Sequence, residues 1–433
     1  MYVNRRKDPM RKAFAASAVL LLALTTVIQL VAVGTAEGAT QNGNGVTSTS
    51  IKVGITYPDV AAIATIINVN PGNYKVAYTT LINQINSRGG INGRKIVPVF
   101  APVDPLGTAG AATACTHLTE DESVFAVLGF FQAADVACYL NQHDTPIIGA
   151  SLTAAQSAQA KAPWFNNIIS DSELIPKEMA IFKQEGAFAG KKVGVVGTSP
   201  DEAEMNQVVP LLHKLKVNVV QTATNSVPDT DVAAFNQEYG VIAEKFKSAG
   251  VDTVVAVGNA GNSWAEALQM NQSTYHPRIV ATDYIDLDAY VTNKLGYQDS
   301  IIKDGLTAGG YAPVAVVWND PSMKRCIASI QAAEPGAPIN DPVTATSQTP
   351  VTWTAPELAC QQMALFSAFV KAAGKTLTNQ TLAKGAKSIP RVVIPGGGGA
   401  LSYPAGHGDG NGPVFVYQWS PSKKILQLKT TAG

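Results

Sequence analysis

The segment from Asn86 to Val99 constrains the fold more than any other part of the chain, because it joins the end of a helix to a strand. Apolar residues recur at helical spacing before it, and Gly89-Gly90 supplies the left-handed conformation that ends a helix cheaply. Asn92-Gly93 predicts a second turn, and residues 94–100 are typical of a β-strand. With residues 51–55 as the preceding strand, the segment predicts a β-α-β unit.

Short apolar runs rich in β-branched residues continue this alternation along the chain. Residues 124–131 and 145–151 are two such runs. Further predicted strands, which indicate a second parallel sheet, lie at residues 192–197, 218–222, 252–258 and 278–282. Residues 412–419 and 425–428 flank a turn at 420–424 and predict a terminal β-hairpin.

Taken in order, residues 86–99, 124–131 and 145–151 resemble the periplasmic solute-binding proteins of the branched-chain amino-acid (leucine/isoleucine/valine) ABC transporter family. The resemblance runs from Ile51 to the C-terminus, and it implies that residues 124–131 and 145–151 are the third and fourth strands of the first sheet with their ligand loops. It implies the type I periplasmic-binding-protein fold, an α/β fold of two doubly wound parallel-sheet lobes joined by a three-crossing hinge. The alternative is a generic doubly wound α/β domain whose glycine turns match by coincidence.

The predicted lobes are discontinuous in sequence. We expect residues 51–168 and 317–390 to form lobe 1, and residues 171–312 and 391–433 to form lobe 2. The interlobe crossings are placed at residues 164–170, at residues 306–317 and near Pro390, and each is a candidate hinge. Residues 1–40 are assigned to an export segment and residues 41–50 to a polar linker.

The N-terminus predicts export from the cytoplasm. A basic stretch precedes the uncharged run from Ala13 to Val33, which is longer than a typical cleaved signal and long enough to span a bilayer. A signal peptide cleaved near Ala36 or Ala39 and an uncleaved membrane anchor therefore both stay open. In either case the rest of the protein is expected outside the cytoplasm, in the periplasm or at the cell surface.

Charge argues against a nucleic-acid partner. The formal net charge is zero, but the first twelve residues carry five cations and one anion, a net +4, so the remainder carries −4. Nucleic-acid binding domains usually show a basic surface instead. The expected partners are a small-molecule ligand and a membrane permease, and we expect the protein to be a monomer.

Four cysteines follow the export segment, and an even number in an exported chain predicts disulfides. In a sheet of order 2-1-3-4-5, the helices after strands two and three can approach each other, which would pair Cys115 with Cys138. Cys326 and Cys360 flank a Pro-rich excursion that a second disulfide would restrain. The alternative is a zinc site of all four cysteines, although they include no C-x-x-C pair.

Residues suited to catalysis are scarce, so the sequence predicts neither an enzyme nor a metal or cofactor site. The five histidines are scattered, with no H-E-x-x-H pair. Ser199 lacks the second glycine of a nucleophile elbow. The glycine run at residues 396–399 is not followed by the Lys and Ser/Thr pair of a phosphate-binding loop.

Ligand-binding residues are expected in loops at the carboxyl ends of parallel strands, where a crevice forms between the lobes. In lobe 1 these residues are Phe131, Gln132, Ala133, Ser151, Leu152 and Thr153. The resemblance implies that these two loops hold a ligand carboxylate through helix N-terminal amides and hydroxyls, and Thr153 lies where that family often has Thr. Ser151 and Thr153 could instead be ordinary helix caps.

In lobe 2 the corresponding residues are Asn259, Asp283 and Tyr284. The resemblance implies that an acidic residue near Asp283 pairs with a ligand ammonium, because a carboxylate in a closing cleft requires a cationic or hydrogen-bond-donating partner. A solvated loop aspartate is the alternative.

Departures from the family place a leucine or valine ligand in doubt. The second-lobe tyrosines typical of amino-acid binders are missing from the loops at Ser199-Pro200 and Asn259-Ala260. The first loop, residues 57–72, is longer and contains Ala61, Ala62, Ile63, Ile66 and Ile67. Phe130, Phe131 and Trp353 could line a pocket for a larger or aromatic molecule, or could belong to the core.

These features predict an extracytoplasmic solute-binding protein that closes on a small organic ligand, an amino acid or a related apolar or aromatic molecule, and delivers it to an ABC permease. The alternative is a ligand sensor of the same fold, tethered to the membrane by residues 13–33.

Overall fold

The computed structural model describes residues 42–432, except 61–69, 106–107, 133–134, 170, 293–295, 345–350 and 398. No helix in this part of the chain combines the length and the apolar character needed to cross a membrane. The predicted export segment and the apolar residues of the first loop, Ala61 to Ile67, lie outside the described residues.

The first sheet contains five short parallel strands. They are β1 (Ser50–Pro58), β2 (Lys95–Val103), β3 (Ala126–Gly129), β4 (Ile147–Ile148) and β5 (Trp164–Phe165). Their order is β2-β1-β3-β4-β5, the order predicted from the sequence. All four residues of β3 are buried, as expected for a parallel strand that is covered on both faces.

The second sheet contains five parallel strands and the predicted terminal hairpin. They are β6 (Val193–Thr198), β7 (Val219–Asn225), β8 (Thr253–Ala256), β9 (Arg278–Ala281), β10 (Leu306–Gly309), β13 (Val414–Ser420) and β14 (Ile425–Ala432). Their order is β14-β13-β10-β9-β8-β6-β7. A separate two-stranded ribbon pairs β11 (Val392–Val393) with β12 (Ala400–Leu401).

Helices cover both sheets. They are α1 (Tyr74–Ser87), α2 (Thr108–Thr116), α3 (Ala154–Gln159), α4 (Asp171–Gln184), α5 (Glu202–Lys214), α6 (Val232–Ser248), α7 (Ala260–Met270), α8 (Tyr284–Thr292), α9 (Asp299–Ile302), α10 (Val314–Asn319), α11 (Pro321–Ala333), α12 (Thr354–Ala373) and α13 (Asn379–Ser388). Two π-helical turns are His117–Asp121 and Cys138–Gln142. The structure therefore has the predicted fold class, with one parallel sheet and one sheet that is parallel apart from its terminal hairpin.

The turn between α1 and β2 has the predicted conformation. α1 ends at Ser87, and Gly89, Gly90 and Gly93 all have positive φ. Asn92 also has a positive φ, of 51°, and its side-chain amide donates to the carbonyls of Val370 and Gly374 at the end of α12. The turn therefore ends one helix and binds the last carbonyls of another.

Both predicted disulfides are present. Cys115 pairs with Cys138, and Cys326 pairs with Cys360, with Cα–Cα distances of 6.4 and 6.2 Å. The first bond joins α2 to the π-helical turn after β3, and the second joins α11 to α12. The pairing uses all four cysteines, so no thiolate is left for the alternative zinc site.

We propose later positions for two of the predicted crossings. Residues 306–309 form β10 inside the second sheet, so that crossing begins only after Gly309. The crossing expected near Pro390 also lies later. Val392, Ile394, Leu401 and Tyr403 pack into the core around β1, and the chain joins the second sheet only at β13. The side chains of these four residues are buried in that core. We therefore propose that the lobe boundary set at residue 391 moves beyond Tyr403.

Candidate functional site

Three predicted site residues meet at the carboxyl ends of strands in the second sheet. Asn259, Asp283 and Tyr284 line one cavity of about 220 Å³. Ile285 and Tyr311 line the same cavity and are 58% and 49% exposed, so apolar surface lies beside the polar groups. The loops after β8, β9 and β10 supply these residues, as the strand-end rule predicts.

A buried carboxylate holds the cavity's polar wall in place. Asp201 Oδ2 accepts hydrogen bonds from the backbone N and Oγ1 of Thr198, at 3.1 and 2.6 Å. Asp201 Oδ1 accepts from Asn259 Nδ2 at 3.2 Å. Asp201 thus fixes the loop after β6 to the loop after β8. This role was not predicted from the sequence, although Thr198-x-x-Asp201 has the spacing of a capping box.

Asp283 lies at the start of α8. Its Oδ1 accepts from the backbone N of Asp286 at 3.1 Å, which satisfies one amide of the helix N-terminus. The carboxylate is half-buried and lines the cavity. A capping contact through one oxygen leaves acceptor capacity on the other, so capping and ligand binding are compatible at this residue.

Aromatic side chains from two strand-end loops line this wall. The ring of Tyr284 stacks on Tyr417, with centroids 3.9 Å apart, and the Tyr417 hydroxyl donates to the carbonyl of Tyr311. Burial raises the pKa of Tyr284 to about 12, so its hydroxyl is neutral at physiological pH. The loops at Ser199-Pro200 and Asn259-Ala260 do lack tyrosine, but Tyr284 and Tyr311 supply aromatic surface from the loops after β9 and β10.

In the first sheet, the loop after β3 holds its predicted residues by internal contacts. The Phe131 ring packs edge-on against Tyr139 at 5.8 Å, and Gln132 Nε2 donates to the carbonyl of Asp104 at 2.8 Å. The backbone N of Gln132 donates to Asp135. Ala133 lies outside the described residues.

In the loop after β4, Thr153 is the N-terminal cap of α3, as the capping alternative proposed. Thr153 Oγ1 accepts from the backbone N of Gln156, and the Gln156 side chain accepts from the backbone N of Thr153, which completes a capping box. Leu152 is partly buried against the core. Ser151 is exposed, and its Oγ accepts from Asn166 Nδ2 at 2.8 Å.

Asn166 links this loop to the connections between the sheets. Its Nδ2 also donates to Asp409 at 3.1 Å, and its carbonyl accepts from the Tyr403 hydroxyl at 2.6 Å. The backbone of residues 164–168 pairs with residues 408–410 through three further hydrogen bonds. Two connecting segments therefore lie side by side, and Ser151 is bound to one of them. No sequence motif indicated the role of Asn166.

The remaining aromatic candidates pack in or against the hydrophobic core. Trp353 is 5% exposed and packs edge-on against Trp318, with centroids 6.0 Å apart. Phe130 and Phe131 are partly buried against the core of the first sheet. Trp353 therefore fits the core alternative, whereas Phe130 and Phe131 are only partly buried.

A second series of side-chain hydrogen bonds joins α12 to the connecting segment that contains Asn166 and Asn167. Asn167 Nδ2 donates to Gln361 Oε1 at 2.6 Å, and Gln361 Nε2 donates to Glu357 Oε1 at 3.4 Å. Burial raises the pKa of Glu357 to about 7, and the bond from Gln361 opposes this shift.

This pKa predicts a pH-dependent stability. The folded state binds the Glu357 proton more tightly than the unfolded state, so its favourable contribution is complete below the unfolded pKa of about 4.5 and is lost as pH rises through about 7. Glu357→Gln removes this titration. Its free energy of unfolding relative to the parent should rise by roughly 2 kcal/mol between pH 5 and pH 8.

Urea unfolding at the two pH values measures this difference. The exposed Glu244→Gln is the matched control and should show no such change between the two values. A constant difference for Glu357→Gln across the range would contradict the prediction.

Solved structures with the same fold are numerous. An ABC transporter substrate-binding protein from Desulfitobacterium hafniense in complex with Leu has a TM-score of 0.59 at 14% identity, covering 88% of this chain and 100% of that chain. A solute-binding protein from R. palustris in complex with 4-hydroxybenzoate has a TM-score of 0.58 at 15% identity. The match covers 88% of this chain and 96% of that chain. A fatty acid ABC transporter substrate-binding protein from Thermomonospora curvata has a TM-score of 0.56 at 14% identity. The match covers 91% of this chain and 95% of that chain. At these identities the similarity shows the fold alone.

The search of curated proteins gives no significant match. The family profile described as "Periplasmic binding protein" matches residues 50–424, which include the first sheet, all strands of the second sheet except β14, and the strand-end loops of both sheets. This family consists of binding proteins rather than enzymes and implies a location outside the cytoplasm. The chain therefore belongs to the periplasmic binding protein family.

Proposed function

We propose that this protein is the extracytoplasmic solute-binding protein of an ABC transporter, and that it delivers a small organic ligand to a membrane permease. Membership of the periplasmic binding protein family carries the proposal. The names of the solved relatives support transport rather than the sensor alternative, since they describe ABC transporter proteins. Function as a monomer, with a cleaved export signal, is part of the proposal.

The ligand is inferred from the chemistry of both walls. Asp283 and Asn259 offer polar groups, while Ile285 and Tyr311 expose apolar surface in the same cavity. On the first sheet, the Ser151 and Thr153 hydroxyls are exposed and each can still donate a hydrogen bond. A ligand with an acidic group, a hydrogen-bond donor and an apolar or aromatic body satisfies all of these groups.

Closure of the two lobes over this ligand is the proposed mechanism. Ligand contacts from both sheets favour the closed state only if they are absent from the open state. Asn166 is well placed to respond to ligand binding, because it binds Ser151 in the loop after β4 and Asp409 in the neighbouring connection between the sheets.

A thermal-shift screen identifies the ligand. Amino acids, aromatic acids, fatty acids and small amides are tested separately, since a ligand at 100 times its dissociation constant adds about 2.7 kcal/mol of stability. Stabilisation by one class at micromolar concentration is the expected result. A protein stabilised by none of these classes would argue against the proposal.

Once the ligand is known, variants of both walls test the site. Asp283→Ala and Thr153→Ala each remove a charge-assisted hydrogen bond worth roughly 1.5 to 3 kcal/mol, so calorimetry should show affinity reduced about tenfold or more. Thr153→Ser keeps the hydroxyl and should restore binding.

Asp252→Ala is the control, because Asp252 is exposed and lies just before β8, at the opposite end of that strand from Asn259. Unchanged affinity in folded Asp283→Ala and Thr153→Ala would reduce both residues to helix caps.

A further inference from the structure

The disulfide between Cys115 and Cys138 lies beside a histidine. Both sulfur atoms and one ring nitrogen of His143 lie within 4.8 Å of one another. Tetrahedral zinc binds thiolate sulfur at about 2.3 Å and imidazole nitrogen at about 2.0 Å, so neighbouring ligand atoms in such a site are about 3.5 to 3.8 Å apart. The three side chains therefore need only small rotations to become zinc ligands, once the two sulfur atoms are no longer bonded to each other.

Two π-helical turns bring these groups together. The turn Cys138–Gln142 is closed by a hydrogen bond from the backbone N of His143 to the carbonyl of Cys138 at 3.2 Å, which returns His143 to the side of Cys138. The other turn, His117–Asp121, begins two residues after Cys115. Such turns are rare and frequently occur at functional sites. The ends of two helical segments thus present two sulfur atoms and an imidazole to one place.

A carboxylate lies next to the imidazole. Glu120 Oε1 is 3.5 Å from His143 Nε2. Histidines that bind metals almost always donate from their second ring nitrogen to a carboxylate or a carbonyl, which fixes the ring and increases its basicity. Glu120 is therefore suited to hold one ring nitrogen of His143 while the other binds a metal ion.

The cluster lies at the end of the first sheet that is opposite the predicted ligand loops. α2 leads back towards the start of β3, and His143 precedes the start of β4, whereas the ligand loops follow the carboxyl ends of these strands. His143 also lines a cavity of about 390 Å³, and its side chain is 23% exposed. A metal ion can therefore reach the imidazole from solvent, although Cys115 is fully buried.

From these observations we propose that reduction of the disulfide creates a zinc site, with the thiolates of Cys115 and Cys138 and the imidazole of His143 as ligands. Glu120 is the positioning residue, and water takes the fourth position. An external dithiol supplies the two electrons and two protons that convert the S–S bond into two thiols, and is itself oxidised to a disulfide. Zn²⁺ then replaces the two thiol protons. This site does not depend on the transport function proposed above.

Cobalt(II) is the probe, because it occupies tetrahedral zinc sites and its thiolate complexes absorb visible light strongly. The protein is reduced with a phosphine, which binds metals more weakly than a dithiol does and becomes a phosphine oxide, with water supplying the oxygen and the protons. The reduced protein is then titrated with Co²⁺, and Zn²⁺ is added as the competitor. Protein that has not been reduced is the control.

We expect about one Co²⁺ per reduced chain, with a thiolate charge-transfer band that Zn²⁺ abolishes, and binding at least roughly 100-fold weaker in the oxidised protein. The double variant Cys115→Ser/Cys138→Ser should lose this band. Cys326→Ser/Cys360→Ser should keep it, because that pair has no comparable third ligand in the described part of the chain.

Single variants test the histidine and its carboxylate. His143→Ala and Glu120→Ala should each weaken Co²⁺ binding about tenfold or more. Glu120→Ala should leave the urea midpoint of the oxidised protein unchanged, which separates positioning of the ligand from a merely structural role. His117→Ala and Asp121→Ala are the matched controls and should stay within twofold of the parent, because these two side chains pair with each other at 3.4 Å outside the cluster.

Several results would overturn the inference. These are equal Co²⁺ binding by oxidised and reduced protein, a spectrum without the thiolate band, or an unchanged affinity in both His143→Ala and Glu120→Ala. A reduced protein that loses its helices by circular dichroism and does not regain them with Zn²⁺ would also overturn it, because no preformed site would exist. The Glu120 side chain is 57% exposed, so Glu120→Ala should fold and keeps the test decisive if the serine variants do not.

Discussion

Replacing Gln362 with Leu should lower the free energy of unfolding by about 3 to 6 kcal/mol, since three buried polar groups lose their partner. Gln362 is fully buried in α12. Its Oε1 accepts from the backbone N of Gly129 at 2.7 Å and from the Tyr78 hydroxyl at 2.6 Å, and its Nε2 donates to the carbonyl of Gly129 at 3.1 Å. Leucine has a similar volume but can form none of these bonds.

The matched control is Gln380→Leu, at an exposed position of α13, which should change stability by less than about 0.5 kcal/mol. Urea unfolding followed by circular dichroism measures both variants. If Gln362→Leu were as stable as the control, water or a shifted backbone would have to satisfy Gly129 and Tyr78, and the network would not be essential. The loop that contains Phe131 and Gln132 begins directly after Gly129, so this variant should also weaken ligand binding.

The second large effect is expected at the turn after α1. Gly89 and Gly90 both have positive φ, of 97° and 75°, a conformation that disfavours residues with a Cβ by about 1 to 2 kcal/mol. A Cβ on Gly90 would also lie 1.9 Å from the carbonyl oxygen of Arg94, whereas a Cβ on Gly89 would meet no atom within 4 Å. We expect Gly89→Ala to lower stability by about 1 kcal/mol and Gly90→Ala by about 3 kcal/mol or more.

Each glycine variant is thus the control for the other, and urea unfolding compares them directly. The two substitutions share the penalty for positive φ, so their difference isolates the collision with Arg94. Equal losses would mean that the turn relaxes freely and that only the backbone conformation matters there.

Much of the fold was predictable because its signals are local. Glycine turns, the alternation of apolar strands with helices, and the capping spacing at Thr153-x-x-Gln156 depend on residues close together in sequence. Family resemblance then implied the two-sheet architecture. The strand order implied the bond between Cys115 and Cys138, and the Pro-rich excursion between Cys326 and Cys360 implied the second disulfide. Sequence also located Asn259, Asp283 and Tyr284 at one edge of the second sheet, because carboxyl ends of parallel strands meet there.

Contacts between distant segments were decided only by the tertiary structure. The Gln362 network joins positions 233 and 284 residues apart, and the Asn92 contact with Val370 spans 278 residues. Val392 of β11 and Leu401 of β12 fit either sheet by composition, and only packing assigned them to the first core. The same holds for Asp201 and Asn166, whose polar side chains are typical of turns in sequence. Their roles arise because burial forces each one to find hydrogen-bond partners in another loop.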